Sequence, residues 1–339
     1  MRVSDRSTAR NYLKYLNKAR SDYAQTSQRI TSGNRFTQLS DDISAGSRVL
    51  KTRAEMDKAE KQLNNISSIR ESMESAEDHL RQINDIITRV NEVVNRAVNG
   101  TNTQASRDAY ANEIASLKEQ VLQIANAKYG DKFLFGGTNA KTAPFEVDKA
   151  TGQLKYNGID VDKIQKDIDG YYIEENGQRK DIPMDDDVYL DIGLGIKMAG
   201  TAIDPSTGFK ISYSGLDILG IGQGADGKSN NIFDTISGIE AALRTGDVDG
   251  ASELNTKLHK SREKLMENVT DIGARTQYLE TMETRLKNTV DGQKERIQNL
   301  MGVTPGEEET RLMMNDYALK AVLQMGSRIL PISLMDYLR

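Results

Sequence analysis

A run of apolar residues in alternating steps of three and four leaves this chain little freedom: Met73, Ala76, Leu80, Ile83, Ile87, Val90, Val94 and Ala97. Such spacing is the a/d seam of a coiled coil. It extends back through Ala59, Leu63 and Ile66. Helix is therefore expected from Ala45 to Val98, roughly 80 Å at 1.5 Å per residue. That is too long to lie inside one compact domain. Asn99-Gly100 ends it, glycine being a favoured C-terminal cap. A second helix follows on Tyr110, Ile114, Leu117, Val121 and Ile124, with Thr103 or Ser106 as its N-cap, and stops near Tyr129-Gly130.

The late chain repeats the pattern. Leu254, Leu258, Leu265, Val269, Ile272, Leu279, Leu286 and Val290 fall on one heptad register, whose gaps hold Ser261, Arg262, Thr276 and Glu283. The stretch from Leu312 to Leu338 reads as helix apart from Pro331, and Tyr12, Leu16, Ala19, Tyr23 and Ile30 make a short N-terminal set. Between Gly137 and Lys228 the period changes. KYNGIDV, GYYIEENGQ, DVYLDIGLGIKM and FKISYSG are rich in Tyr and β-branched residues and are cut by Asn-Gly and Pro-containing turns, the marks of short strands and hairpins. With only 5 Pro, no Trp and 28% charged residues, the chain suits long helices that bury a narrow stripe. A lone seam leaves its Leu and Ile in water, so the late helix is expected to return along the early one. The expected fold is mainly α: an antiparallel coiled-coil or helical-bundle rod built from both chain ends, with an inserted β-rich middle domain. Its parts are 1–44, an N-terminal assembly helix pairing with the C-terminus; 45–136 and 229–298, the two arms; 137–228, a β-rich outer domain; and 299–339, a C-terminal assembly helix.

Chemistry finds little footing. The absence of Cys removes disulfides, zinc–thiolate sites and thiol nucleophiles. Net charge is −5 without a basic block, which argues against nucleic acid as a partner. No apolar run reaches the roughly 20 residues of a membrane span, and the N-terminus lacks the apolar core of a cleaved signal peptide. GQGADGKS, Gly222 to Ser229, fits the P-loop pattern at Gly222, Gly227, Lys228 and Ser229. A P-loop needs a parallel α/β sheet behind it, and coiled-coil arms flank this one, so it is read as a glycine-rich linker. His79 and His259 fall on charged helix sides and read as surface residues. Asp185, Asp186, Asp187 and Asp191 do not match an EF-hand loop and read as a solvated turn. No catalytic residue, metal or cofactor is expected.

Several segments together resemble the flagellin superfamily. ITSGNRFTQLSDDISAGSRVLKTR, Ile30 to Arg53, is similar to its apolar–Ser–Ser/Gly turn followed by an SDD helix start. Here Ser40 is the expected N-cap, with Asp41 and Asp42 in the first turn. YGDKFLFGGTNAKTAPF (129–145) and the ending SLMDYL (333–338) resemble the superfamily's hook–filament junction branch, and NVTDIGARTQYLE (268–280) is similar to the superfamily's C-terminal IGA…N/Q…LE helix. Flagellins usually carry SRIxDxDxA before the last helix, whereas this chain reads IQNLMGVTPGEEETRLMMND, which favours the junction branch and leaves 299–315 unmapped. The resemblance implies a self-assembling structural protein of the bacterial flagellum, an adaptor ring between hook and filament, with flagellin itself as the alternative. It implies export by the flagellar type III route without a cleaved signal. Implied partners are further copies in a ring or helical lattice, a neighbouring hook-associated protein, flagellin, and an export chaperone at the C-terminal helix. The end segments 1–30 and 312–339, short and with little else in the monomer to pack on, are expected to order on assembly. The assembly residues expected are Tyr12, Leu16, Ala19, Tyr23, Ile30, Leu319, Leu323, Ile329, Leu334 and Leu338.

Overall fold

The structure is a computed structural model and describes residues 2–139, 141–167, 170–175, 177–182, 188–191, 197–199, 202–203, 208–211, 213–224 and 227–335. The chain is mainly helical, with a β-rich region between its helical halves. It divides into two units, Met1–Lys61 with Leu286–Arg339, and Gln62–Arg285.

In the second unit, α2 (Ile43–Ala97) contributes residues 62–97 and α6 (Val248–Met301) contributes 248–285. The two run antiparallel, because the polar contacts along them advance on one and retreat on the other. Arg70 Nε donates to Glu283 Oε2 at 2.8 Å, Arg262 Nε to Asn84 Oδ1 at 2.8 Å, and Asn255 Nδ2 to Asn91 Oδ1 at 2.8 Å. The heptad residues do what their spacing requires: Met73, Leu80, Ile83, Val90, Leu258, Leu265, Ile272 and Leu279 are buried. A second helix pair, α3 (Gln104–Ala125) and α5 (Ile232–Thr245), packs closely. Its start is capped by Thr103, whose side chain accepts from Ser106 N. Gln104 Nε2 donates to the last carbonyls of α5, at Leu243 and Arg244, and Lys118 pairs with Glu240 at 2.8 Å.

The β-rich region opens at Lys128 as the hairpin β1 (Lys128–Tyr129) and β2 (Lys132–Phe133). Two three-stranded antiparallel sheets follow. One is β3 (Phe145–Val147), β4 (Leu154–Tyr156) and β5 (Ile159–Asp160); the other is β6 (Ile164–Asp167), β7 (Gly170–Glu175) and β8 (Gln178–Asp181). Asn157 at φ 49° and Gly158 at φ 82° form the β4–β5 turn, with the two positive φ values that suit a type I′ hairpin. Asn126, just past α3, holds β3 with both amide atoms: Nδ2 donates to Phe145 O and Oδ1 accepts from Phe145 N. A short helix, α4 (Gly215–Leu219), closes against this sheet. A Cβ on Gly215 would sit 2.5 Å from the Phe145 ring and 2.8 Å from the Phe135 carbonyl, so this approach requires glycine.

In the first unit, the loop after α1 (Arg2–Ser32) bonds to the turn between α6 and α7 (Pro305–Met335). Arg35 N donates to Met301 O at 2.6 Å and Val303 N to Gly33 O at 3.1 Å. Phe36, Ala45 and Val49 form a buried cluster against Ile297, Leu300 and Met301. The ITSGNRF stretch is therefore a latch on the far end of the chain. Ser40 does not cap α2. Its hydroxyl turns to Gln38, and Asp42 Oδ1 accepts from Ala45 N at 2.9 Å. Asp42 wins because it directly precedes the first helical residue and also pairs with Arg35 at 3.0 Å. Asp42→Ala is expected to cost about 1 kcal/mol, the usual worth of such a cap. Ser40→Ala should stay within roughly 0.5 kcal/mol. Urea denaturation followed by circular dichroism separates the two, and equal losses would return the cap to Ser40.

Candidate assembly surface

α1 and α7 lie side by side, their Cα atoms repeatedly within 8 Å. They run antiparallel: Arg29 faces Glu308 at 3.9 Å, Asn315 Nδ2 donates to Asp22 O at 3.2 Å and Thr26 Oγ1 at 2.8 Å, and Gly326 faces Tyr12. So close an approach follows from the small groups in the seam. Ala19 and Thr26 are buried on α1, and Gly326 is buried on α7, where a Cβ would overlap the Tyr12 hydroxyl and ring. Glu308 is buried beside Arg29 and Arg311, which supply the counter-charge a buried carboxylate requires.

The expected assembly residues divide on this geometry. Tyr12, Leu16, Tyr23, Ile30 and Leu319 are half-buried and Ala19 is buried; the Tyr12, Ala19 and Tyr23 row is the face of α1 that meets α7. The end helices thus have a partner within the monomer, each other, contrary to the expectation that little there packs against them. Leu323 is exposed. Ile329 and Leu334 lie on the backbone of α7, and Leu338 lies outside the described residues.

The reading by heptads missed a second set. Met313, Met314, Tyr317 and Met325 on α7 are 58–72% exposed, and Leu13 and Tyr15 on α1 are 55% and 63% exposed. Met313, Met314 and Tyr317 point away from the seam built by Glu308, Leu312, Asn315, Leu319 and Gly326, by the 100° step of a helix. A helix that is apolar on two sides is normally buried on two sides. α7 has only one of them covered. The signal was present in sequence as the MM and Y of ETRLMMNDY, off the register that a single seam would use.

Other candidate chemistry dissolves on inspection. Residues 222–224 and 227–229 bond to each other: Gly224 N donates to Lys228 O, Gly227 N to Gly224 O, and Gln223 bridges Ser229. The LDILGI stretch before it is α4 and its exit, not a strand. Lys228 pairs with Glu253 at 2.8 Å, and the Ser229 hydroxyl donates to Asp162 Oδ1 at 2.5 Å. These atoms face neighbours within the fold instead of wrapping a phosphate. Asn231 then caps α5, its side chain accepting from Asp234 N at 2.7 Å, and burial pushes the Asp234 carboxyl up from its usual range against the pull of the Asn231 hydrogen bond. His79 Nδ1 lies 2.6 Å from the Ser75 carbonyl, an ordinary helical contact. Asp185, Asp186 and Asp187 lie outside the described residues; Asp191 is exposed. Among the described residues no group of His, Asp and Glu is arranged to hold a metal, and no helix is long and apolar enough to cross a membrane.

Long heptad helices, paired end helices and an exposed apolar face on α7 are the features that the comparisons with known proteins have to match. The chain is flagellin-like. Residues 3–140 match the bacterial flagellin N-terminal helical region. Over 334 residues it is 22% identical to flagellar hook-associated protein 3 of Escherichia coli K12, covering 95% of this chain and 94% of that protein. It is 25% identical to flagellin A of Vibrio anguillarum over 150 residues, 43% of this chain and 38% of that one. Among solved structures, a flagellar hook-associated protein from Vibrio parahaemolyticus superposes with a TM-score of 0.57 at 18% identity, covering 77% of this chain and 100% of that one. This last likeness shows a shared fold.

Proposed function

We propose that this chain is a non-enzymatic structural component of the bacterial flagellum, an adaptor ring between hook and filament. The observation that carries the reading is coverage. Similarity to hook-associated protein 3 of E. coli runs through 95% of the chain, β-rich region and C-terminal arm included, whereas flagellin A of V. anguillarum matches 43% of it. The IQNLMGVTPGEEETRLMMND stretch, which departs from the flagellin pattern, points the same way.

On this reading, 1–44 and 299–339 are the assembly helices, 45–136 and 229–298 the arms, and 137–228 the outer domain. Copies pack in a ring or open lattice, with a hook-associated protein on one side and flagellin on the other. The uncovered Met313, Met314 and Tyr317 face of α7 supplies adaptable apolar contacts, methionine being unbranched and polarizable. An export chaperone would cover the same face before secretion through the flagellar type III route. The chemistry is packing, and no cofactor enters it.

Immunogold electron microscopy of intact flagella tests the reading. A single band of label where hook meets filament is the expected result. Label along the whole filament would make the chain a flagellin, and label confined to the cytoplasm would sink the flagellar reading altogether.

A further inference from the structure

Asn99-Gly100, Asn157-Gly158 and Asn176-Gly177 share the same two letters. Asparagine before glycine can lose ammonia without an enzyme, because a glycine amide has no Cβ to keep it from the preceding side-chain carbonyl. What holds that carbonyl, and what holds the backbone, decides which pair reacts. Asn176 lies outside the described residues; the other two sit in opposite settings.

Asn99 is exposed in the turn from α2 to α3, two residues past Ala97, the last of α2. Its Oδ1 accepts twice from Thr101, from the backbone N at 3.4 Å and from the hydroxyl at 3.3 Å. Both donors therefore serve the oxygen on which charge develops when a nucleophile adds to Cγ, and donors so placed stabilise that addition. The nucleophile is Gly100 N, and the space beside it is open: a Cβ on Gly100 would meet nothing within 4 Å.

Asn157 is held on both sides. Tyr156 pairs with Ile159 across its turn, and Asn157 N donates to Pro144 O at 2.8 Å. Its Nδ2 is buried without a hydrogen-bond partner among the described residues, so the departing nitrogen has no water to enter. Its Oδ1 accepts only a long contact from Asn139 Nδ2, at 3.4 Å. Ring closure there requires the hairpin to open first.

We infer that Asn99 is a self-modification site, converted to aspartate or isoaspartate in the folded chain by attack of the Gly100 amide on a side-chain carbonyl held by Thr101. Gly100 N bonds to Asn99 Cγ, and Nδ2 leaves as ammonia with the proton that the amide gave up, so a succinimide joins the two residues. Water then opens the ring. Attack at Cγ gives ordinary aspartate; attack at the Asn99 backbone carbonyl leaves the chain running through the side chain as isoaspartate. Either product places a carboxylate just past the C-terminus of α2, the negative end of the helix dipole. Isoaspartate also lengthens the backbone of a turn in which Asn102 Nδ2 donates to the last α2 carbonyls, Arg96 O at 2.6 Å and Ala97 O at 3.2 Å. The loss of ammonia runs one way in water, so the converted fraction records the age of a chain. None of this depends on the flagellar reading.

The full chain is held in mildly alkaline buffer, folded or unfolded in urea, sampled over time, digested and read by mass spectrometry. Enzymatic methylation specific to isoaspartate separates the two products. In the folded chain Asn99 should convert at least about tenfold faster than Asn157, a difference of about 1.4 kcal/mol in barrier, and in urea the two should converge. Thr101→Val should slow Asn99 about fivefold when folded, the worth of one hydrogen bond at about 1 kcal/mol, and change little in urea. Thr101→Ser keeps the donor and should keep the native rate. Equal folded rates at Asn99 and Asn157 would overturn the inference, since the turn would then add nothing to the letters. Faster conversion of Asn99 in urea than in the folded chain would overturn it as well, because the turn would then protect. A native rate in Thr101→Val, or an equal slowing in Thr101→Ser, would overturn the part played by the Thr101 hydroxyl.

Discussion

Arg70→Ala should destabilise the second unit by about 3 kcal/mol, whereas Arg70→Met combined with Glu283→Met should stay within roughly 1 kcal/mol of the native chain. Glu283 is buried, at 7% exposure, on the face of α6 that otherwise holds Leu265, Ile272 and Leu279. Arg70 Nε donates to it at 2.8 Å, and Arg70 also pairs with Glu74 one turn away. Removing the guanidinium takes the Arg70 counter-charge and hydrogen bond from a carboxylate held largely out of water, and that lost compensation is the cost. Two methionines fill similar volume without charge, so the transfer penalty vanishes along with the pair. What the double variant should lose is register. Two heptad helices can slide by seven residues and keep their apolar seam. The Arg70–Glu283, Asn84–Arg262 and Asn91–Asn255 contacts meet in only one alignment. Urea melts of both variants give the stability; a spin-label pair across α2 and α6 gives the register. A double variant as unstable as Arg70→Ala would show that packing volume, not buried charge, sets the penalty.

How much of this was legible follows from how far apart in sequence each cause lies. The seam from Met73 to Ala97 and its counterpart from Leu254 to Leu279 could be read because helix burial repeats locally every three or four residues. Their burial follows the pattern. The Asn-Gly turn between β4 and β5 was likewise local, since two positive φ values demand those residues. Glu283 could be seen as a gap in a heptad, yet its partner is 213 residues away, and nothing in the spacing of α6 names Arg70. The α2 cap moved from Ser40 to Asp42 because the helix starts at Ile43, a boundary the SDD letters alone leave open by two residues. Periodicity also picked the residues of the α1–α7 seam as the assembly face, because a seam is what periodicity detects. The uncovered face, Met313 to Tyr317, is defined by what does not touch it, and only coordinates show that. The P-loop letters failed for the opposite reason: the motif is local, but its chemistry depends on a strand and sheet that α4 does not provide.

Gly326→Leu should lower incorporation of the chain into flagella about thirtyfold while leaving the melting of the second unit unchanged. The antiparallel approach of α1 to α7 has no room for a side chain at this point, since even a Cβ would overlap the ring of Tyr12. Overpacking of a close contact costs typically 1–3 kcal/mol. If the pair must be formed before a copy can join its neighbours, about 2 kcal/mol against the paired state lowers the apparent association constant by roughly 1.5 decades. The second unit shares none of these contacts; Tyr12 and Gly326 both belong to the first. Tyr12→Ala supplies the internal control. By itself it opens a gap in the seam and weakens pairing, but combined with Gly326→Leu it gives the new side chain the volume the ring vacated. The double variant should therefore incorporate better than Gly326→Leu alone, an interaction between contacting sites that additive effects do not produce. Chain in isolated flagella against chain in the medium, quantified by blotting, gives the ratio. Incorporation of Gly326→Leu at the native level would mean that α1 and α7 separate on assembly, so that the pair is a property of the free chain alone. A defect that Tyr12→Ala does not relieve would place the cause outside this contact.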